Sequence, residues 1–401
     1  MKKLLMLSAL MLSLAASAND AELIKQGEYL TRMGDCASCH TINDAKPFAG
    51  GNALPTPFGV IYSPNITPDE TGIAAWSFDD FYRALHDGRG IKGQPLYPAF
   101  SYTSFTKVTQ ADAKAIFAYL QSLKPIKQQN KEPKMDFPYN VRSLLHGWRT
   151  LYFTAGEFKP DAKQSEQWNR GAYLVEGLGH CNECHSPRNA LGAVNKSEML
   201  AGGHIPMQGW YAPSLSMQKG GGLEGWTRDD LKQLLKTGLS DKGGVIGPMA
   251  DVVRNSTQYM TDADLEAVAV YLESLPAPQV VAKPATKQAS DYAQGKKLYA
   301  SHCSDCHGEK GEGVKDIYPT LAGNNTVTGL DGVNAIRSVL LGGFPPATQS
   351  NPEPYSMPPF AGGLSNAEVA AVVNYIRQSW GNMATEVKAA TVNEMRAKTV
   401  R

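Results

Sequence analysis

The sequence has almost no net charge: 39 Lys and Arg stand against 38 Asp and Glu, leaving +1. No basic stripe or acidic block runs along it, so nucleic acid is not an expected partner. Long apolar runs are missing after the first residues. A spanning helix needs roughly 18 uninterrupted apolar residues, and the best later stretch, Ala367 to Ile376, is interrupted by Glu368 and Asn374. Nucleotide-binding and hydrolytic signatures are missing too. There is no Gly-x-Gly-x-x-Gly loop, no Gly-x-Ser-x-Gly elbow and no paired-carboxylate constellation. Runs such as Gly220-Gly221-Gly222 lack the strand and helix that a phosphate loop needs. Cysteine is scarce as well, six in 401 residues.

The apolar run at the start reads as an export signal. Lys2 and Lys3 form a positive flank, Leu4 to Ala15 an apolar stretch, and Ala16-Ser17-Ala18 a small-x-small cleavage site. The expectation is a cleaved signal peptide over 1–18 and a periplasmic mature chain. Export would favour disulfides, yet the cysteines form another pattern. All six fall in three copies of Cys-x-x-Cys-His: Cys36, Cys39 and His40; Cys181, Cys184 and His185; Cys303, Cys306 and His307. Two thiols at this spacing, in a helical turn, add to the two vinyl groups on one porphyrin edge. The following His reaches the iron from below. A four-cysteine zinc site does not need three separate pairs, and thioredoxin-like redox chemistry does not need the histidine. The sequence therefore predicts three covalently bound haem c groups, with His40, His185 and His307 as iron ligands.

The repetition extends beyond the cysteines. Each motif follows a short helical pattern around Gly27, Gly171 or Gly295. Each unit closes on an amphipathic helix that opens with a cap-like signal, Thr109 to Asp112, Thr261 to Asp264 and Ser365 to Glu368. Between them recurs a proline loop: Tyr62-Ser63-Pro64, Tyr211-Ala212-Pro213 and Tyr318-Pro319. The reading is a mainly α chain of three tandem domains at 19–124, 164–276 and 291–381. Linkers fall at 125–163 and 277–290, and a tail at 382–401 is a docking helix or a frayed end.

An opening helix with the haem motif and a closing helix across it resemble the class I cytochrome c fold. The resemblance implies that a proline carbonyl in the recurring loop accepts the Nδ1 proton of the iron-bound His, fixing the ring. It also places a distal ligand just before the closing helix. Met357, held by Pro358 and Pro359, and Met249, after Pro248, occupy that place in the third and second units. A Met opposite His suits electron transfer, whereas an open position admits small ligands or substrate. The first unit has Phe100 there, and Phe cannot ligate iron. Met135 in the linker, His86 or an open site remain for the first haem.

Almost the whole mature chain resembles the triple-haem cytochrome subunit of bacterial membrane-bound dehydrogenases, of the gluconate 2-dehydrogenase and quinoprotein alcohol dehydrogenase type. The stretches that carry the resemblance are 48–67, 96–102, 137–142, 209–215 and 380–382. It implies a flavoprotein or quinoprotein dehydrogenase as partner, oxidising an alcohol, sugar or sugar acid. Electrons would pass through the haems to ubiquinone or a terminal oxidase at the outer face of the inner membrane. No substrate site on this chain is then expected. A self-contained haem enzyme with an open first haem, and a free periplasmic shuttle, are the alternatives at this point.

Overall fold

The computed structural model describes residues 19–280 and 284–398. The expected signal peptide, 1–18, lies outside the described residues, as do 281–283 of the expected second linker and the last residues of the tail. Helices dominate, and one set of them occurs three times. The opening helices are 19–33, Glu166–Tyr173 and Tyr292–His302. A short helix then carries each motif, at Cys36–His40, Asn182–His185 and Ser304–His307. Middle helices follow at Phe78–Asp87, Arg228–Thr237 and Val333–Leu341. The closing helices are Gln110–Ser122, Asp262–Glu273 and Asn366–Arg377.

Local chemistry explains where these helices begin and end. Thr109, Thr261 and Ser365 each accept the backbone N–H three residues on, satisfying a donor that the first turn leaves unpaired. Ser77 with Asp80 and Thr227 with Asp230 form reciprocal caps on the first two middle helices. Gly88, Gly238 and Gly342 end the middle helices at φ of 58°, 82° and 78°, a region that costs other residues energy.

Opening and closing helices cross at one contact, built the same way each time. A Cβ placed on Gly27, Gly171 or Gly295 would lie 1.9, 2.0 or 2.0 Å from the carbonyl oxygen of Ala115, Ala267 or Ala371. It would also lie 2.8 Å from the Cβ of Tyr119, Tyr271 or Tyr375. Glycine is there because the backbones touch.

Strands are few and short. Ala53–Thr56 pairs antiparallel with Gly59–Tyr62, and Lys134–Met135 adds a third strand to that sheet. Gly203–Ile205 pairs with Trp210–Ala212, and Leu239–Ser240 with Gly243–Gly244. Backbone contacts divide the chain into two compact units. One runs up to Pro160 and takes in Glu176–His180; the other comprises Asp161–Val175 and Cys181–Arg401. The first unit buries Leu30, Met33, Tyr102, Val108, Ile116 and Leu120. The second therefore holds both the second and third motifs, and a large part of its core is built from Tyr299, Ile336, Leu340, Val369, Val373 and Val392.

The stretch expected as the first linker is ordered. Its start lies on the first repeat, where Asn65 donates from Nδ2 to the Ile126 carbonyl at 2.8 Å and Gln128 donates to the Gly50 carbonyl at 2.9 Å. Helix Leu145–Tyr152 follows, with none of its residues fully buried. The tail docks: helix Ala389–Ala397 buries Val392 and Met395. Arg396 ties it to the carbonyls of Ala361 and Leu364.

Candidate functional site

The first motif helix holds both cysteines and the histidine, while Cys181 and Cys303 cap the helices that carry Cys184 with His185 and Cys306 with His307. None of the six cysteines is in a disulfide. Burial pushes the Cys36 thiol up to about 12, helped by Asp35 and Cys39. Burial, then the neighbouring Cys184, takes Cys181 to about 12, and burial with Cys306 takes Cys303 to about 11. A structural zinc site gathers four ligands around one ion, and here each pair of thiols stands with a single histidine. Among the described residues no three His, Cys, Asp or Glu side chains cluster as a metal site. The donor set fits a porphyrin joined by thioether bonds, with one imidazole for its iron.

The histidines are fixed in one tautomer. His40 Nδ1 lies 2.7 Å from the Pro64 carbonyl oxygen, His185 Nδ1 2.7 Å from that of Pro213, and His307 Nδ1 3.0 Å from that of Pro319. A carbonyl only accepts, so Nδ1 must carry the proton. Nε2 is left with its lone pair for a metal. Burial lowers the pKa of all three rings, partly offset by the hydrogen bond to the proline carbonyl, which raises it.

A glycine completes each arrangement. Gly50, Gly202 and Gly313 donate their N–H to the carbonyls of His40, His185 and His307 at 2.7, 2.8 and 2.8 Å. Their φ angles are 71°, 93° and 67°. A Cβ on Gly50 would be 2.3 Å from the Pro64 carbonyl carbon. On Gly202 it would be 2.9 Å from Ser214 N, and on Gly313 2.8 Å from the Pro319 carbonyl carbon. The proline loop passes so close that only glycine fits. Sequence reasoning picked out the prolines and missed these glycines. Several glycines lie between each His and its proline, and nothing in their spacing marks which one the loop presses on.

The methionine candidates occupy different settings. Met357 exchanges both backbone hydrogen bonds with Gly343, at 2.8 and 3.1 Å, and packs against the core of the third repeat. Met249 sits in the first turn of helix Pro248–Asn255, packed on Val245, Ala250 and Val253. Met135, half-buried, is on the edge strand opposite Gly59. His86 sits on the middle helix of the first repeat. Its Nδ1 lies 2.8 Å from Asp87 and its ring stacks on Tyr82 at 5.0 Å. Phe100 packs on Phe105, with ring centroids 5.5 Å apart.

Paired thiols, a His held by a proline carbonyl, and crossed opening and closing helices define a cytochrome c that binds haem c covalently. Residues 24–124 and 292–380 match the Cytochrome c family. The whole chain narrows this further. It is 40% identical over 406 residues to the gluconate 2-dehydrogenase cytochrome c subunit of Pantoea cypripedii, covering 95% of this chain and 92% of that one. To the cytochrome c subunit of the quinone alcohol dehydrogenase of Gluconobacter oxydans it is 39% identical over 403 residues, covering 95% and 84%. It is also 41% identical over 389 residues to a nicotinate dehydrogenase subunit of Pseudomonas putida, covering 93% of this chain but only 32% of that longer protein. The chain belongs to the family of dehydrogenase cytochrome c subunits. Among the described residues, no helix is long and apolar enough to cross a membrane.

Proposed function

We propose that this chain is a periplasmic electron-transfer subunit holding three haem c groups, one per repeat. Cys36 and Cys39, Cys181 and Cys184, and Cys303 and Cys306 anchor the macrocycles. His40, His185 and His307 bind iron through Nε2. Met249 and Met357 are the opposite ligands in the second and third repeats, and Met135 is the candidate in the first. Bound haem supplies an iron that takes up and releases one electron at a time. The chain's own residues hold each imidazole in one tautomer, exclude water from the ring and keep the ligand fixed between redox states.

The observation that carries this reading is the threefold His Nδ1 to proline carbonyl bond, each with its glycine. Electrons would come from a partner flavoprotein or quinoprotein dehydrogenase, as the names of the relatives suggest, and leave to ubiquinone or a terminal oxidase at the inner-membrane surface. The relatives' names span gluconate, alcohol and nicotinate, so the partner, not this chain, would set the substrate. The test is the mass and haem count of the exported protein. Three haems per chain and a mature start at Asn19 are expected; two or fewer haems would overturn the assignment.

A further inference from the structure

Helix Val333–Leu341 of the third repeat sends two side chains onto the hairpin of the second. Asn334 accepts from the Tyr211 N–H at 3.0 Å and donates to the Tyr211 carbonyl at 2.8 Å. One turn on, the Arg337 guanidinium lies over the Trp210 ring, 5.0 Å from its centroid. Arg337 is only 2% exposed, and its Nε and Nη1 have no hydrogen-bond partner. Stacking covers one face of a guanidinium; it does not satisfy N–H groups that point out in its plane. An unpaired buried cation costs several kcal/mol, so the arrangement calls for an anion. The acid nearest in sequence does not serve, because Asp331 pairs with His204 at 2.9 Å.

The surroundings indicate where that anion comes from. Trp210 and Gly209 lie in the loop between His185 and Pro213. A Cβ on Gly209 would stand 3.1 Å from Arg337 Nη1, so the loop backbone runs against the cation. Gly247, immediately before Pro248 and Met249, packs on the other part of Trp210; a Cβ there would be 2.7 Å from Trp210 Cε2. Arg337 therefore sits where the proximal and distal loops of the second repeat meet. Haem carries two carboxylates away from its thioether edge, and guanidinium–carboxylate hydrogen bonds are the strong, charge-assisted kind.

We propose that Arg337, a residue of the third repeat, donates its orphan N–H groups to a carboxylate of the haem held by the second repeat. It acts as a positioning residue across the repeat boundary and holds that haem's potential up, since a buried positive charge favours the less positive, reduced iron. The inference rests on the haem assignment to His185.

The test is an optical redox titration of the purified, fully haem-loaded protein. Met249→His, a ligand change in the second repeat, identifies that repeat's wave. Arg337→Met, which keeps most of the apolar bulk, is expected to cut the reduced-to-oxidised equilibrium constant of that wave about tenfold, or about 59 mV for one electron. Arg337→Lys should restore most of it. Asn334→Ala loosens the same contact without removing charge and should leave the wave in place. Should Arg337→Met not accumulate, Arg337→Lys carries the test through resonance Raman, where the propionate bending band of the second haem should move. Unchanged potentials with three haems present would overturn the proposal. So would a shift in the third wave instead, an equal shift in Asn334→Ala, or an unmoved propionate band in Arg337→Lys. A preparation lacking the second haem would instead count against the haem assignment itself.

Discussion

Gly295 and Ala371 meet backbone to backbone, so closely that a Cβ on Gly295 would stand 2.0 Å from the Ala371 carbonyl oxygen. Gly171 with Ala267 and Gly27 with Ala115 repeat the contact. The obstacle is a helix backbone, which cannot swing aside as a flexible side chain can. Gly171→Ala or Gly295→Ala should therefore cost about 1–3 kcal/mol or more, the range for overpacked cores. Thermal unfolding of the holo-protein measures this. A melting point equal to that of the parent would contradict the close crossing.

Removing a distal sulfur should open an iron to small ligands. Reduced Met249→Ala and Met357→Ala are each expected to bind carbon monoxide at one more haem than the parent. In the first repeat the parent itself is informative. If Met135 is the ligand, the parent binds little carbon monoxide and Met135→Ala gains one site. Binding by the parent, unchanged by Met135→Ala, would favour an open first haem.

Arg377 has 0% exposure, yet its guanidinium is well served. Nη1 donates to the carbonyls of Val327 at 2.6 Å and Gly329 at 3.0 Å, while Nε and Nη2 reach that of Thr385 at 3.3 and 3.2 Å. Burial pushes the group down to about 10, which still leaves it charged at neutral pH. The side chain ties the loop after Asn325–Thr328 to the segment leading into the tail helix. At about 1 kcal/mol for each of the four hydrogen bonds lost, Arg377→Met should lose about 4 kcal/mol. Denaturant titration decides, and a loss below about 1 kcal/mol would show that these bonds matter little.

His204 and Asp331 join the second and third repeats in a way that pH should modulate. The hydrogen bond with Asp331 raises the His204 pKa, against opposing effects of burial and of Lys398. Burial raises the Asp331 carboxyl most, but the hydrogen bond and charge of His204, together with backbone N–H groups of Val333 and Asp331 itself, leave it below its ordinary value. A His whose folded pKa is raised contributes stability that is complete below its unfolded pKa, near 6.5. That stability is lost as pH rises through the folded value. Unfolding midpoints should fall modestly between about pH 6 and pH 8, and His204→Gln should flatten the trend. A parent slope unchanged by His204→Gln would remove this pair as its cause.

Much of each candidate site was legible because its chemistry is local. Two thiols and a histidine within five residues point to a porphyrin edge and an iron ligand without any fold. The capping signals at Thr109, Thr261 and Ser365 were equally readable, since a cap acts over three residues. Pro64, Pro213 and Pro319 could be picked out by recurrence. Gly50, Gly202 and Gly313 could not, because what forbids a side chain there is a loop that arrives from elsewhere in the chain. The tail shows the same limit: mixed charge left docking and fraying equally open, and the pockets that take Val392 and Met395 belong to other helices.

Cofactor chemistry and the threefold plan were already written in the order of the residues, because covalent spacing and helix periodicity are properties of neighbours along the chain. That the second and third repeats form one compact unit emerged from folding alone. Tyr211 and Asn334 lie 123 residues apart, and no local pattern marks one as the other's partner. Such pairings depend on which surfaces meet once the helices have packed, and that is a property of the folded whole.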